Sequence, residues 1–76
     1  MYYIIQNESQ NYKIIDSSSM TATYWCYSLK DAIEHPANFS ITHHQLKTWL
    51  STDTATLLLT ADNLNTVYDT HPELFL

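Results

Sequence analysis

Glycine is absent from this chain of 76 residues. It is the residue that adopts positive φ without steric cost and lets the backbone approach a phosphate closely. Its absence excludes the sites that are built from glycine, namely the Walker loop, the dinucleotide-binding fingerprint and the nucleophile elbow. The turns must be formed by other residues, and ten threonines and seven serines are available for them.

Arginine is also absent, and three lysines stand against eight acidic residues, which gives a net charge of −5. From residue 48 onward the chain holds four acidic residues and no lysine: Asp53, Asp62, Asp69 and Glu73. Direct binding of nucleic acid requires Lys and Arg to neutralise phosphates. The composition therefore argues against direct nucleic-acid binding by a monomer. The acidic residues either keep the chain soluble or face a protein partner with a basic surface.

Cysteine is limited to Cys26, so no disulfide can form within the chain. No apolar run approaches the ~20 residues of a membrane span, and no basic segment precedes an apolar one at the N-terminus. We therefore expect a cytoplasmic protein that does not enter a membrane.

The four histidines do not show metal-ligand spacing. His43 and His44 are adjacent, and adjacent side chains on a helix point about 100° apart, whereas ligand pairs on helices are usually four residues apart. His35 and His71 each precede a proline at the end of a predicted helix. Cys26 lies in an aromatic strand with no sequence signal for an activating base. We predict no metal, no cofactor and no catalytic centre, with a small metal- or cysteine-dependent enzyme kept as an alternative.

The N-terminal third predicts an antiparallel meander. Runs rich in β-forming residues predict strands over 2–6, 12–16 and 20–27. Polar residues between these runs predict two turns, with Asn11 as the residue most suited to a left-handed conformation.

The rest of the chain predicts helices. Ser28 and Asp31 resemble a capping box that opens a helix over 29–35, and Thr42 with Gln45 opens a second helix over 43–50. We expect these helices to pack onto the sheet through five residues: Leu29, Ile33, Leu46, Trp49 and Leu50.

The C-terminal part leaves one ambiguity. The run 54–60 fits either a fourth strand or a helix. A third helix is predicted over 61–70, capped by Thr60 or Asp62, with Asp62 and Asp69 on its outer face, and the short apolar tail after it should dock on the core. Together these elements predict one α+β domain over residues 1–76, in which a three-stranded antiparallel meander, with or without a fourth strand, packs against two to three short helices.

Ten aromatic residues are present, and neighbouring ones such as Tyr24 and Trp25 point to opposite faces of a strand. Either helices cover both faces of the sheet and bury all of them, or one set is exposed. Exposed Tyr and Trp are typical anchors of protein–protein interfaces. Tyr3, Trp25 and Tyr27 are the candidate anchors, and a homodimer could use them as well as a foreign partner.

In composition the chain is similar to small inhibitors encoded by phages and other mobile elements, anti-CRISPR proteins among them, and to immunity proteins. The resemblance implies a stoichiometric inhibitor that blocks a basic, nucleic-acid-handling protein. We therefore expect a protein-binding module without catalysis. The alternative is a structural or assembly subunit that homodimerises through its aromatic sheet face. The predicted contact residues are Tyr3, Trp25, Tyr27, Asp53, Asp62, Asp69 and Glu73.

Overall fold

The computed structural model describes residues 1–34, 37–51 and 54–75. They form a small α+β domain, as the sequence predicts. The elements are β1 (Tyr2–Asn7), β2 (Tyr12–Asp16), β3 (Thr21–Thr23), α1 (Leu29–Glu34), β4 (Asn38–Ser40), α2 (His43–Ser51), β5 (Ala55–Ala61), α3 (Asn65–Thr70) and a 3₁₀ turn (Pro72–Phe75).

The strands form one antiparallel sheet in the order β4-β3-β2-β1-β5. The predicted meander of β1, β2 and β3 is confirmed, and the ambiguous run 54–60 is a strand because it pairs along β1. Ile4 of β1 thus lies between Ile14 of β2 and Leu59 of β5. The strand β4 was not predicted, since three residues are too few to show alternation.

The third strand is shorter than predicted, because it ends at Thr23 instead of continuing to residue 27. The Thr23 hydroxyl accepts the Ile14 N–H at 3.0 Å, and the Thr23 carbonyl accepts the Lys13 ammonium at 2.7 Å. Side-chain hydrogen bonds therefore replace the regular ladder with β2 at this point, while Thr23 still pairs with Asn38 of β4. Only Cys26 returns to the sheet, through two backbone hydrogen bonds with Tyr12 of 2.7 and 2.8 Å.

Among the described residues, the left-handed ones are Gln10, with φ 63°, and Met20, with φ 52°, so the prediction for Asn11 was wrong. The side chain of Asn7 explains the first turn, because its Oδ1 accepts the Asn11 N–H at 2.9 Å and its carbonyl accepts the Gln10 N–H at 3.0 Å. These bonds hold Asn7 next to Asn11, so the chain reverses direction at Gln10, which takes the positive φ. In the second turn Asp16 accepts hydrogen bonds from the residues that precede Met20.

The first two helices begin where the sequence predicts. Ser28 Oγ accepts the Asp31 N–H at 3.1 Å. Thr42 and Gln45 form a reciprocal capping box, in which Thr42 Oγ1 accepts the Gln45 N–H at 3.1 Å and Gln45 Oε1 accepts the Thr42 N–H at 2.9 Å. The predicted end of the first helix, residue 35, lies outside the described residues.

The third helix begins at Asn65 and not at residue 61, because β5 continues through Ala61, which pairs with Tyr2. Neither Thr60 nor Asp62 caps it; Asn63 Oδ1 instead accepts the Asn65 N–H at 2.9 Å. The docking of the C-terminal tail is confirmed for Phe75, which stacks on Tyr68 with ring centroids 4.4 Å apart.

Helices lie on both faces of the sheet. On one face α1, α3 and the 3₁₀ turn pack over a cluster built on Ile4 and Ile14. On the other face α2 packs over a cluster built on Ile5 and Ile15. Four of the five predicted helix contacts are buried or half-buried, but Leu50 is exposed. Within the described ranges, no helix has the length and apolar character that crossing a membrane requires.

Candidate protein-binding surface

An exposed aromatic loop, residues 24–27, follows β3 and leads through Ser28 into α1. The exposed fraction is 91% for Tyr27, 60% for Tyr24 and 36% for Trp25. Large exposed aromatics that cluster on one surface commonly mark an interaction site. The early end of β3 releases this loop from the sheet, and the bridge at Cys26 holds its second half.

A buried lysine lies beneath the loop. Lys13 is only 3% exposed, and its Nζ lies 5.0 Å from the ring centroid of Trp25, 5.0 Å from that of Phe39 and 4.6 Å from that of Trp49. We call these three rings the aromatic cage. Each ring face attracts a cation, so the cage and the Thr23 carbonyl together hold the ammonium. None of the described contacts of Nζ is a hydrogen bond to a carboxylate.

Burial lowers the pKa of Lys13 below its usual 10.5, and the neighbouring Cys26 partly opposes this shift. The ammonium connects elements that are distant in sequence, because the cage takes Trp25 from the aromatic loop, Phe39 from β4 and Trp49 from α2. One buried charge therefore fixes the position of the loop relative to the sheet and to α2.

Contacts between aromatic rings extend from the cage to the exposed Tyr24. Tyr24 packs on Phe39 with centroids 4.9 Å apart, and Phe39 meets Trp49 edge-on at 6.4 Å. The exposed ring of Tyr24 therefore rests on residues that are themselves packed. The loop is a preorganised surface, in which Tyr27 alone extends almost fully into solvent.

A shallow cleft of about 350 Å³ lies next to the loop. Trp25 and Trp49 line one part of it, and the β1–β2 turn, including the exposed Glu8, lines another. A carboxylate beside indole rings is a chemical combination that suits the side chain of an arginine or a lysine.

Acidic residues predominate among the charged side chains of the described surface, on which six acidic residues and two lysines are exposed. Asp62 lies in a bend after β5, Asp69 in α3 and Glu73 in the 3₁₀ turn, and all three are exposed. The expectation that Asp62 and Asp69 share one helical face was wrong, because Asp62 precedes the helix. Asp53 lies outside the described residues.

The structure brings together two of the three predicted aromatic anchors. Trp25 and Tyr27 belong to the aromatic loop, whereas Tyr3 is half-buried against the cluster that α2 covers. Tyr24 and Lys13 were not among the sequence candidates. Because the predicted strand continued to residue 27, Tyr24 was placed on the face opposite to Trp25 and Tyr27. The sequence feature that could have indicated a buried Lys13 is its position between two β-forming residues, in a chain that has only three lysines and no arginine.

The remaining sequence candidates are Cys26 and the histidines, of which His35 lies outside the described residues. Cys26 is half-buried and its Sγ donates to the Tyr24 carbonyl at 3.3 Å. Burial, and then Asp31, raise the pKa of this thiol, while Lys13 partly opposes them. His43 and His44 are exposed in the first turn of α2, and His71 follows α3. The described residues contain no group of three His, Cys, Asp or Glu side chains that could hold a metal ion.

No protein-family model, curated protein or solved structure matches this chain. The geometry of the aromatic loop and the charge around it are therefore the features that indicate a function.

Proposed function

We propose that the chain is a protein-binding module that attaches stoichiometrically through the aromatic loop Tyr24–Tyr27. The observation that carries the proposal is the exposure of three aromatic rings on a loop that the Lys13 cage and the Cys26 bridge hold in place. Tyr and Trp supply most of the binding energy in many interfaces. A loop that is already ordered loses little conformational entropy on binding.

The charge of the chain supports a partner with a basic surface. The net charge is −5, and exposed acidic residues outnumber exposed lysines by six to two among the described residues. Opposite potentials favour encounter and select against acidic partners. Basic surfaces are characteristic of proteins that handle nucleic acids. Occupation of such a surface by this chain would inhibit the partner, as the compositional similarity to phage-encoded inhibitors also suggests.

Dimerisation through an aromatic face of the sheet has less support, because helices pack on both faces. Tyr3, one of the three anchors that such a dimer could use, is half-buried against the cluster that α2 covers.

The test compares two double variants of the immobilised chain. Tyr24→Ser with Tyr27→Ser removes the two most exposed rings of the loop, and His43→Ser with His44→Ser removes two exposed rings from α2 as a matched control. A partner captured from extracts of the source cells is purified, and its affinity and stoichiometry are measured by titration calorimetry.

Loss of the two tyrosines should weaken one-to-one binding by nearly 1000-fold, since hot-spot residues contribute ~2 kcal/mol or more each and 1.4 kcal/mol is about tenfold. The histidine variant should bind as the wild type does. A partner that binds the tyrosine variant with unchanged affinity would show that the aromatic loop is not the contact surface.

A further inference from the structure

The outer edge of β5 is open. In the part of the chain that the structure describes, β5 has β1 on one side and no strand on the other. The backbone N–H and C=O groups of an edge strand that point outward are available to another strand. We propose that β5 pairs antiparallel with β5 of a second copy of this chain, about a two-fold axis perpendicular to the sheet.

The two edges of the sheet differ in their protection. Natural proteins guard exposed edges with short strands, charged side chains or proline. The edge strand β4 has three residues, whereas β5 has seven, Ala55–Ala61, with neither a charged residue nor a proline. Leu57, in the middle of β5, is 46% exposed. β5 is therefore the edge that is suited to pairing.

A β-bulge determines how β5 presents its leucines. Ile5 faces Leu57 and Ile4 faces Leu59, so Leu58 is the additional residue. Leu58 and Leu59 both pack on the cluster that α1 and α3 cover, and both remain half-buried. Leu57, opposite Ile5, belongs to the other face. Two consecutive leucines thus reach the same face at the open edge.

This arrangement selects one register. Residues opposite each other in an antiparallel pair have side chains on the same face of the sheet. With the bulge, this condition is met when Leu58 lies opposite Leu59 of the second copy, which also places Leu57 opposite Thr60. Two leucines from each copy then surround the axis, and the cores of the two copies become continuous.

The charge distribution favours a second copy as the occupant. β1 and β5, the two strands nearest this edge, contain no charged residue, although the chain carries a net charge of −5. In the proposed register Asp62 faces Ala55 of the second copy, so no like charges are opposed. A basic partner would be attracted to the acidic surfaces instead, and an uncharged edge suits a partner that is equally acidic.

The first test is the mass in solution, measured by sedimentation equilibrium over a wide range of concentration. The wild type should reach twice the chain mass of 8.8 kDa. Leu57→Lys places a charge in the paired edge and should give a monomer. Ser40→Lys places the same charge on the other edge strand, at an exposed position, and should leave the dimer intact. A single-chain mass for the wild type at every concentration would overturn the proposal, as would equal effects of the two lysines.

The second test fixes the register by disulfide formation in a Cys26→Ser background. Opposed residues of an antiparallel pair have Cα atoms about 4.5–5.5 Å apart, within the range of a disulfide. A mixture of Leu57→Cys chains and Thr60→Cys chains should oxidise to a cross-linked heterodimer, and neither variant alone should cross-link. Cross-linking of Leu57→Cys with itself would contradict this register.

The dimer is independent of the function proposed above. β3, from which the aromatic loop departs, lies three strand spacings from β5, or about 14 Å. The variant Tyr24→Ser with Tyr27→Ser should therefore still dimerise, so that loss of partner binding and loss of the dimer are separate results. Dimerisation that fails in this variant and persists in Leu57→Lys would assign the contact between copies to the aromatic loop.

Discussion

Lys13 is the residue on which the candidate surface depends. Its ammonium is buried, donates to the Thr23 carbonyl and lies within 5.0 Å of three ring centroids. Desolvation of an ammonium is costly, and one hydrogen bond does not offset it. The cage offsets a further part of this cost, although the lowered pKa of Lys13 shows that desolvation remains the larger effect. In return the ammonium contacts the rings of both Trp25 and Trp49.

Lys13→Met should therefore destabilise the fold by about 1–2 kcal/mol. The change leaves the Thr23 carbonyl unpaired, at a cost of about 1–3 kcal/mol, and removes cation–π contacts, while the relief from desolvation offsets part of both. Urea unfolding gives the free energy, and amide exchange in Tyr24–Tyr27 should become faster. The control Lys47→Met, at an exposed site in α2, should stay within about 0.5 kcal/mol. A Lys13→Met protein as stable as the wild type would contradict this role.

The same pair of proteins gives the pH dependence of this interaction. Because burial lowers the pKa of Lys13 in the folded chain, the unfolded chain binds more protons in the range between the folded pKa and 10.5. Stability contributed by this group therefore rises with pH in that range. The difference in unfolding free energy between the wild type and Lys13→Met should widen as the pH approaches 10.5. Both proteins are measured in a Cys26→Ser background, because the Cys26 thiol and the Lys13 ammonium interact. A difference that narrows would show that the pKa of Lys13 is not lowered.

Among the elements, α2 has the clearest sequence signal, and the structure reproduces it as a reciprocal capping box. α2 also carries Trp49, so the cap at its start helps to position one wall of the cage. Thr42→Ala should lower the free energy of unfolding by about 1 kcal/mol, because the Gln45 N–H loses its acceptor.

Thr48→Ala, at an exposed position inside the same helix, serves as the control and should change stability by less than about 0.5 kcal/mol. Thermal or urea unfolding of both variants is sufficient. Equal losses at the two threonines would mean that the cap does not contribute beyond an ordinary surface threonine.

The elements that the sequence predicts well are those whose signals are local. Caps and β-rich runs place β1, β2, α1 and α2 within a residue or two. The elements that were missed depend on distant partners. β3 ends early because Lys13 and Ile14 bind Thr23, and α3 begins late because Tyr2 pairs with Ala61. The aromatic loop exists for the same reason, so Trp25 and Tyr27 were identified as candidates and Tyr24 was not.

At the scale of the whole molecule, the acidic surface should act on the rate of association more than on the strength of the final contacts. Charges steer encounter and are screened over about 10 Å at 0.1 M salt, whereas short-range contacts determine dissociation. The association rate with the purified partner should therefore fall steeply with added salt.

Charge reversal tests this steering directly. Asp62→Lys with Asp69→Lys should slow association and leave the melting temperature nearly unchanged, since both side chains are exposed. The neutral pair Asp62→Asn with Asp69→Asn should give a smaller effect in the same direction, and Tyr27→Ser should act mainly on dissociation. An association rate that is insensitive both to salt and to the reversal would restrict recognition to the aromatic loop.

The position of β1 has a consequence for synthesis. β1 is made first, yet one of its two neighbours in the sheet is β5, which is made after the residues of α2. At about 5–20 residues per second, the interval between the end of β2 and the start of β5 lasts on the order of several seconds. During that time β1, which is rich in tyrosine and isoleucine, has no strand at the edge that later pairs with β5. The nascent chain is thus open to wrong pairing, or to a chaperone, until its last strand emerges from the ribosome.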